Sequence, residues 1–381
     1  MREPLLTRTF VVLAIAHFLF ALSFYLFFHL PGLLVRFGAT ELDIGVLSGV
    51  MSGCAILARP PVGRVMDVRG RRPVLLFGGV LGTAACGAYF AVDHWGPLLY
   101  VVRVSHGVSE AMLFASLFAI AADIVPSSRR IEGIGLFGVS GLLPMALAGL
   151  VGEALLAAGD FPALFAAGTL ANGTAVALSV FVPEPARAEG EPPRGVVAAV
   201  LDSHLVPLWV SGLLFAVAIA AYFILLKTYV LVSQVGTIGH FFASYAVTAC
   251  LLRVFAGSLP ERAGPKRVLA VAMTMLSGGL LLLAYASSST DLVLAGVLAG
   301  AGHGYTFPIL LGLVIGRARP TERGAALAVF TALFDAGTLL GGPALGAVVE
   351  AASYRVMFSS AAALAALGFA SLVLLDRRAF R

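Results

Sequence analysis

Residues 10–35 read FVVLAIAHFLFALSFYLFFHLPGLLV and contain no Asp, Glu, Lys or Arg. About 20 residues at ~1.5 Å rise cover ~30 Å of hydrocarbon, so this stretch is long enough to cross a bilayer as a helix. It is continuous rather than alternating, which excludes the period-two pattern of a barrel strand. It is too long for a cleaved signal peptide and lacks a small-residue cleavage site, so it is read as a first membrane helix. Similar runs recur along the chain, and twelve apolar segments are expected, among them 97–122, 133–157, 161–182, 291–316 and 324–349. Of 381 residues, 60 % are hydrophobic and 12 % are charged, with a mean hydropathy of +0.98. Soluble domains carry about 25 % charge, so a soluble or a disordered chain is excluded.

The sparse charges mark orientation. With the N-terminus on the cytoplasmic side, the inner segments carry Arg2, Arg8, Arg64, Arg69, Arg71, Arg72, Arg129, Arg130, Arg187, Arg194, Arg262, Lys266, Arg267, Arg317, Arg319, Arg323, Arg377, Arg378 and Arg381. The outer segments carry only Arg36 and Arg355, and hold acids such as Glu41, Asp93, Asp160, Asp291 and Glu350. Positive charge gathers on the cytoplasmic side, so both termini are expected inside a bacterial-type inner (plasma) membrane. This also accounts for the pI of about 9.3 without a nucleic-acid partner. The longest polar connector, residues 183–203, is rich in Pro, Glu and Arg. It divides the chain into a six-helix bundle over 1–182 and another over 204–381. Cys54, Cys86 and Cys250 lie inside apolar runs with neither disulfide nor metal spacing.

The halves repeat. Arg59, Gly63, Asp67, Gly70 and Arg72 recur as Arg253, Gly257, Glu261, Gly264 and Lys266, each offset by 194 residues, as are Pro126 and Arg129 from Pro320 and Arg323. His106-Gly107 recurs as His303-Gly304 after a three-residue slip. Repeats of this kind typify transporters with a midplane site between the halves.

The loop at Gly63-Arg-Val-Met-Asp67-Val68-Arg69-Gly70-Arg71-Arg72 carries a resemblance. It is similar to the pattern G-x-x-x-D-R-x-G-R-R/K of the major facilitator superfamily, and the chain resembles that family's twelve-helix drug or metabolite:proton antiporters. Val68 departs from the pattern, and the second copy, Gly257 to Lys266, has Glu261 for Asp and Pro265 within its basic pair. The resemblance implies an all-α membrane fold of two six-helix pseudo-repeats around a central cavity. It also implies a charge cluster that latches the outward-open state, built here from Gly63, Asp67, Gly70, Arg71, Arg72 and Asp123 and from Gly257, Glu261, Gly264 and Lys266. Arg71 or Arg72 is expected to bridge Asp67 and Asp123. The alternative is plain topology determination and headgroup contact.

The segment 97–122 resembles a second family element, R-x-x-Q-G, as Arg103-Val-Ser-His106-Gly107, followed by Glu110. Positions 103, 106 and 110 share one helical face. An intramembrane ionisable residue is a functional candidate by default. Glu110 is therefore expected to carry a proton, with Arg103 tuning it and His106 as a relay or polar cavity residue; the alternative is a static pair that holds helices together. Asp335 in segment 324–349 is a second candidate proton site, beside the small-residue face Gly337 and Gly341 and the kink at Gly342-Pro343. The order of the family's compact Gly/Pro antiporter element is missing from segment 133–157, which reads Gly138-Val-Ser-Gly141-Leu-Leu-Pro144; the better match lies in segment 324–349. His17, Tyr25, Tyr222, His303 and Tyr305 are candidate cavity residues, whereas Arg59 and Arg253 are expected to snorkel to the inner surface.

No Walker A sequence supports ATP-driven transport, and no H-E-x-x-H or G-x-S-x-G element supports an enzyme. A sensing receptor on a transporter scaffold is the third class. The reading is a secondary active transporter of a small amphipathic or lipophilic organic molecule, with proton-coupled efflux first and proton-coupled import or facilitated passage of a sugar or organic acid second. The expected partners are that substrate, protons and the bilayer, with no cofactor, metal or catalytic residue and a monomeric chain.

Overall fold

The computed structural model describes residues 4–39, 41–186 and 195–375. Residues 187–194 of the connector, and Arg2, Arg187, Arg194, Arg377, Arg378 and Arg381, lie outside the described residues. Helix α1 is Arg8–Arg36, with a tight 3₁₀ turn at Phe27–His29. Helices α2, α3 and α4 are Glu41–Arg69, Arg71–Ala88 and Pro97–Ile124. The stretch Arg130–Ser179 is interrupted at Gly159 and Asp160, where φ is −162° and 56°. It therefore holds two helices, α5 over 130–158 and α6 over 161–179. The second half has α7 Val206–Ser233, α8 Ile238–Phe255, α9 Pro265–Ala284, α10 Ser289–Arg317, α11 Arg323–Ala351 and α12 Tyr354–Leu375. Eleven continuous stretches among the described residues are long and apolar enough to cross a membrane. The break in one of them makes twelve long helices among the described residues, as the apolar segments predict.

Local chemistry sets the ends. The Phe10 amide donates to Thr7 Oγ1 at 3.2 Å, and Ser288 and Asp291 form a capping box at α10. Pro97, Pro207 and Pro265 stand in the first turns of α4, α7 and α9, where an amide hydrogen has no intrahelical partner. Gly70 and Gly264, 194 residues apart, turn the chain into α3 and α9 with φ of 104° and 94°, a region that a side chain disfavours. At the α5–α6 break, the Arg36 side chain pairs with Asp160.

Two compact units result. The first comprises 1–126, 137–196 and 319–332; the second comprises 127–136, 197–318 and 333–381. Within the first, α4 packs on α2 and α3; within the second, α10 packs on α8 and α9, the same pairings six helices later. Gly337 and Gly341 of α11 press on α7: a Cβ at either would lie 2.8 Å and 2.9 Å from the Cβ atoms of Ala216 and Ala220. Leu57, Leu150, Phe181, Phe255 and Leu374 are each more than 70 % exposed. Side chains of that size belong in a hydrocarbon environment, and the chain is a multi-pass integral membrane protein.

Candidate functional site

The Asp67 carboxyl closes onto a helix end. At the last turn of α2, its Oδ1 accepts from the Gly324 amide at 2.8 Å and its Oδ2 from the Ala325 amide at 2.8 Å. Those amides open α11 and have no intrahelical acceptor, so a carboxylate there satisfies two orphan donors and meets the positive end of the helix dipole. The approach requires bare backbone. A Cβ on Gly63 would lie 2.6 Å from the Ala328 Cβ and 2.8 Å from the Gly324 carbonyl, and one on Gly324 would lie 2.6 Å from Asp67 Oδ1.

A charge relay runs alongside. Arg71 Nη2 is 3.8 Å from Asp67 Oδ1, and Arg71 Nε is 3.0 Å from Asp123 Oδ2. Arg323 Nη1 stands 3.8 Å from Asp123 Oδ1. Arg71 is the bridging residue. Arg72 turns away, because its Nη2 donates to the Val180 carbonyl at 2.8 Å. The Arg71 and Arg72 amides, at the start of α3, donate to the two oxygens of Glu184 at 2.8 Å each. Glu184 does not stand out in the sequence reading, being part of the connector; Arg323 appears there as the repeat of Arg129, not as a partner of Asp123.

The second loop makes the counterpart. Glu261 Oε1 accepts from the Glu132 amide at 2.8 Å, in the first turn of α5. Glu132 is itself held by two Arg129 hydrogen bonds of 2.8 Å. Burial pushes the Glu261 carboxyl above its usual range, against the pull of the amides. A Cβ on Gly257 would come within 3.4 Å of Glu132 Cγ. Lys266 lies in the first turn of α9 and is half-buried. Each loop acid therefore caps a helix from the other half of the sequence, Asp67 on α11 and Glu261 on α5.

Glu110 has a different partner from the one its helix face suggests. Arg59 Nη2 is 3.5 Å from both Glu110 oxygens, with side-chain exposures of 1 % for Arg59 and 21 % for Glu110. The guanidinium also lies 5.1 Å from the Phe114 ring. Arg103 instead donates to Tyr89 Oη at 3.4 Å. Beside it, His106 is buried against the rings of Phe27 at 5.0 Å and Phe24 at 6.1 Å. One face of α4 thus serves two environments, because seven residues put about 10 Å between Arg103 and Glu110. Arg59 does not snorkel: a Cβ tilts toward its helix N-terminus, and from α2 that carries the side chain away from the loop.

Arg253 behaves likewise and is 5 % exposed, its Nε donating to the Gly304 carbonyl at 3.0 Å. Next to it, His303 Nδ1 lies 2.7 Å from Tyr245 Oη and 3.3 Å from Tyr222 Oη. The rings of Phe215, Phe223 and Phe334 stand 5.1, 6.1 and 6.5 Å from the His303 ring. Asp335 follows Phe334 on α11 and is half-buried. Spacing alone does not reveal this aromatic cluster, since its members come from α7, α8, α10 and α11. His17 is packed away from open space, stacked on Phe137 at 4.6 Å with Nδ1 2.7 Å from Ser140 Oγ. Tyr305 donates to the Ala256 carbonyl at 2.8 Å.

The family model described as Major Facilitator Superfamily matches residues 13–237 and 208–381. The chain belongs to the Major Facilitator Superfamily. Its fold agrees along nearly its whole length with superfamily structures. The human organic anion transporter MFSD10 (TETRAN) matches with a TM-score of 0.84 at 19 % identity, covering 97 % of this chain and 100 % of that one. The superfamily transporter FucP, solved in the outward conformation, matches with a TM-score of 0.80 at 15 % identity, covering 98 % and 100 %. Among curated proteins, the multidrug resistance protein MdtL of Shewanella oneidensis is 26 % identical over 138 residues, which is 36 % of this chain and 34 % of that protein. The quinolone resistance protein NorA of Staphylococcus aureus is 25 % identical over 138 residues, 36 % and 35 %. The matched segment thus spans about a third of these relatives. The superfamily is one of secondary transporters, not of enzymes.

Proposed function

We propose that this superfamily transporter exports a small amphipathic or lipophilic organic molecule in exchange for protons, by alternating access of the halves 1–182 and 204–381 about the connector 183–203. The observation that carries the coupling is the Arg59–Glu110 pair, long at 3.5 Å and with the carboxylate partly exposed. A proton on Glu110 releases Arg59. Breaking a buried ion pair costs several kcal/mol, so proton arrival is linked to rearrangement. Asp335 is the second proton site in this scheme. The two carboxylate-to-helix caps, Asp67 on α11 and Glu261 on α5, act as the latch on the side that carries the basic loops. The resistance names of MdtL and NorA favour export, and the excess of Arg and Lys in the same loops favours an inner membrane with both termini cytoplasmic.

The test is proton flux in proteoliposomes with an internal pH dye, adding lipophilic and amphipathic compounds in turn. Substrate-dependent proton movement opposite to substrate movement is expected, and it disappears in Glu110→Gln. Movement in the same direction makes the protein an importer; substrate movement without protons makes it a facilitator and leaves Glu110 a structural residue.

A further inference from the structure

The duplication left two equivalent arginines, Arg59 and Arg253, and only one of them was given a carboxylate. Arg59 meets Glu110. In the second half, 197 residues on from Glu110, the offset that relates His106 to His303, the chain has Phe307. Arg253 is buried to 5 % exposure, hydrogen-bonds through Nε to the Gly304 carbonyl, and has no carboxylate oxygen within 4.0 Å among the described residues. We propose that Arg253, His303 and Tyr245 form a binding site for an organic anion whose apolar body lies on Phe223 and Phe334.

The geometry favours an anion over other ligands. Arg253 stands in the last turn of α8, and its side chain runs back along the helix to the middle of α10, ending beside His303. A guanidinium presents forked donors that match a carboxylate. The Tyr245 and Tyr222 hydroxyls converge on His303 Nδ1. With a hydroxyl donating there, the neutral ring carries its proton on Nε2 and offers a second donor. The flanking phenylalanine rings supply the apolar wall that small-molecule sites use around a few polar groups. All these residues belong to the second compact unit. The proposal names the substrate class of the transporter and so rests on the transport reading.

The test is equilibrium binding by calorimetry to the full-length protein in lipid nanodiscs, with no gradient, using 2-naphthoate and the uncharged 2-naphthamide as probes and empty nanodiscs as blank. Saturable binding of naphthoate, at least about tenfold tighter than naphthamide, is expected. Arg253→Gln brings naphthoate down to the naphthamide level. Phe307→Glu, which gives Arg253 the carboxylate that Arg59 already has, does the same while keeping the arginine. Equal binding of the two probes by the wild type, absence of saturable naphthoate binding, or wild-type affinity in either correctly folded variant overturns the site. The wild-type comparison holds even if both variants misfold. Loss of proton coupling with naphthoate binding intact sinks the transport reading alone, and coupled transport without naphthoate discrimination sinks this one alone.

Discussion

At the scale of single residues, the membrane interior penalises every uncompensated charge, and that penalty shapes the site. Arg59 is tolerated because Glu110 lies 3.5 Å away and Phe114 lines its other side. Glu110→Gln should therefore lower the thermal midpoint in detergent, since breaking a buried ion pair costs about 3 kcal/mol. Arg59→Met combined with Glu110→Met should recover most of the loss. Additive losses in the double variant would show that the two residues do not act as a pair. Glu110 itself was legible as an acid at membrane depth. Its partner was not: Arg103 shares its helix face, whereas Arg59 comes from 51 residues earlier in the chain.

At the scale of elements, the recurring device is a carboxylate seated on a helix N-terminus. Asp67→Asn keeps an acceptor but loses the charge, and should cost about 0.5–1 kcal/mol of stability and measurably slow transport. Unchanged transport at normal membrane abundance would remove Asp67 from the latch. Gly63→Val forces side-chain atoms into Ala328 and the Gly324 carbonyl. Overpacking of this kind costs about 1–3 kcal/mol, to be read as a lower thermal midpoint. The second cap carries a pH signature. Burial raises the Glu261 pKa, so the folded protein favours its protonated form. The stability linked to this group is full below 4.5, its ordinary value, and is lost as pH rises through the raised value. The midpoint of the wild type relative to Glu261→Gln should accordingly fall as pH rises across that window; a constant difference would mean that Glu261 titrates as in water. The sequence exposed both loop acids through their offset of 194 residues. It did not expose their recipients, because backbone amides have no side-chain signature and Gly324 lies 257 residues from Asp67.

At the scale of the whole molecule, twelve helices in two sequence repeats follow from hydropathy and from the duplicated loop. The basic loops predict that reporters fused after residues 72 and 266 report the same side as the N-terminus, and that reporters after residues 93 and 288 report the opposite side. A mixed pattern would overturn the orientation. The sequence by itself determined the membrane class, the span count, the internal repeat and the family, because these depend on composition along the chain and on short motifs of fixed spacing. Only the tertiary structure decided which arginine meets Glu110, that Arg71 rather than Arg72 bridges two acids, which helix ends receive the loop carboxylates, and that Arg253 stands beside His303 with no carboxylate oxygen within 4.0 Å among the described residues. Those pairings join residues tens to hundreds of positions apart, and in an apolar medium they are selected by which packed neighbours can neutralise a charge or satisfy an amide. Local sequence does not encode that choice; helix packing does.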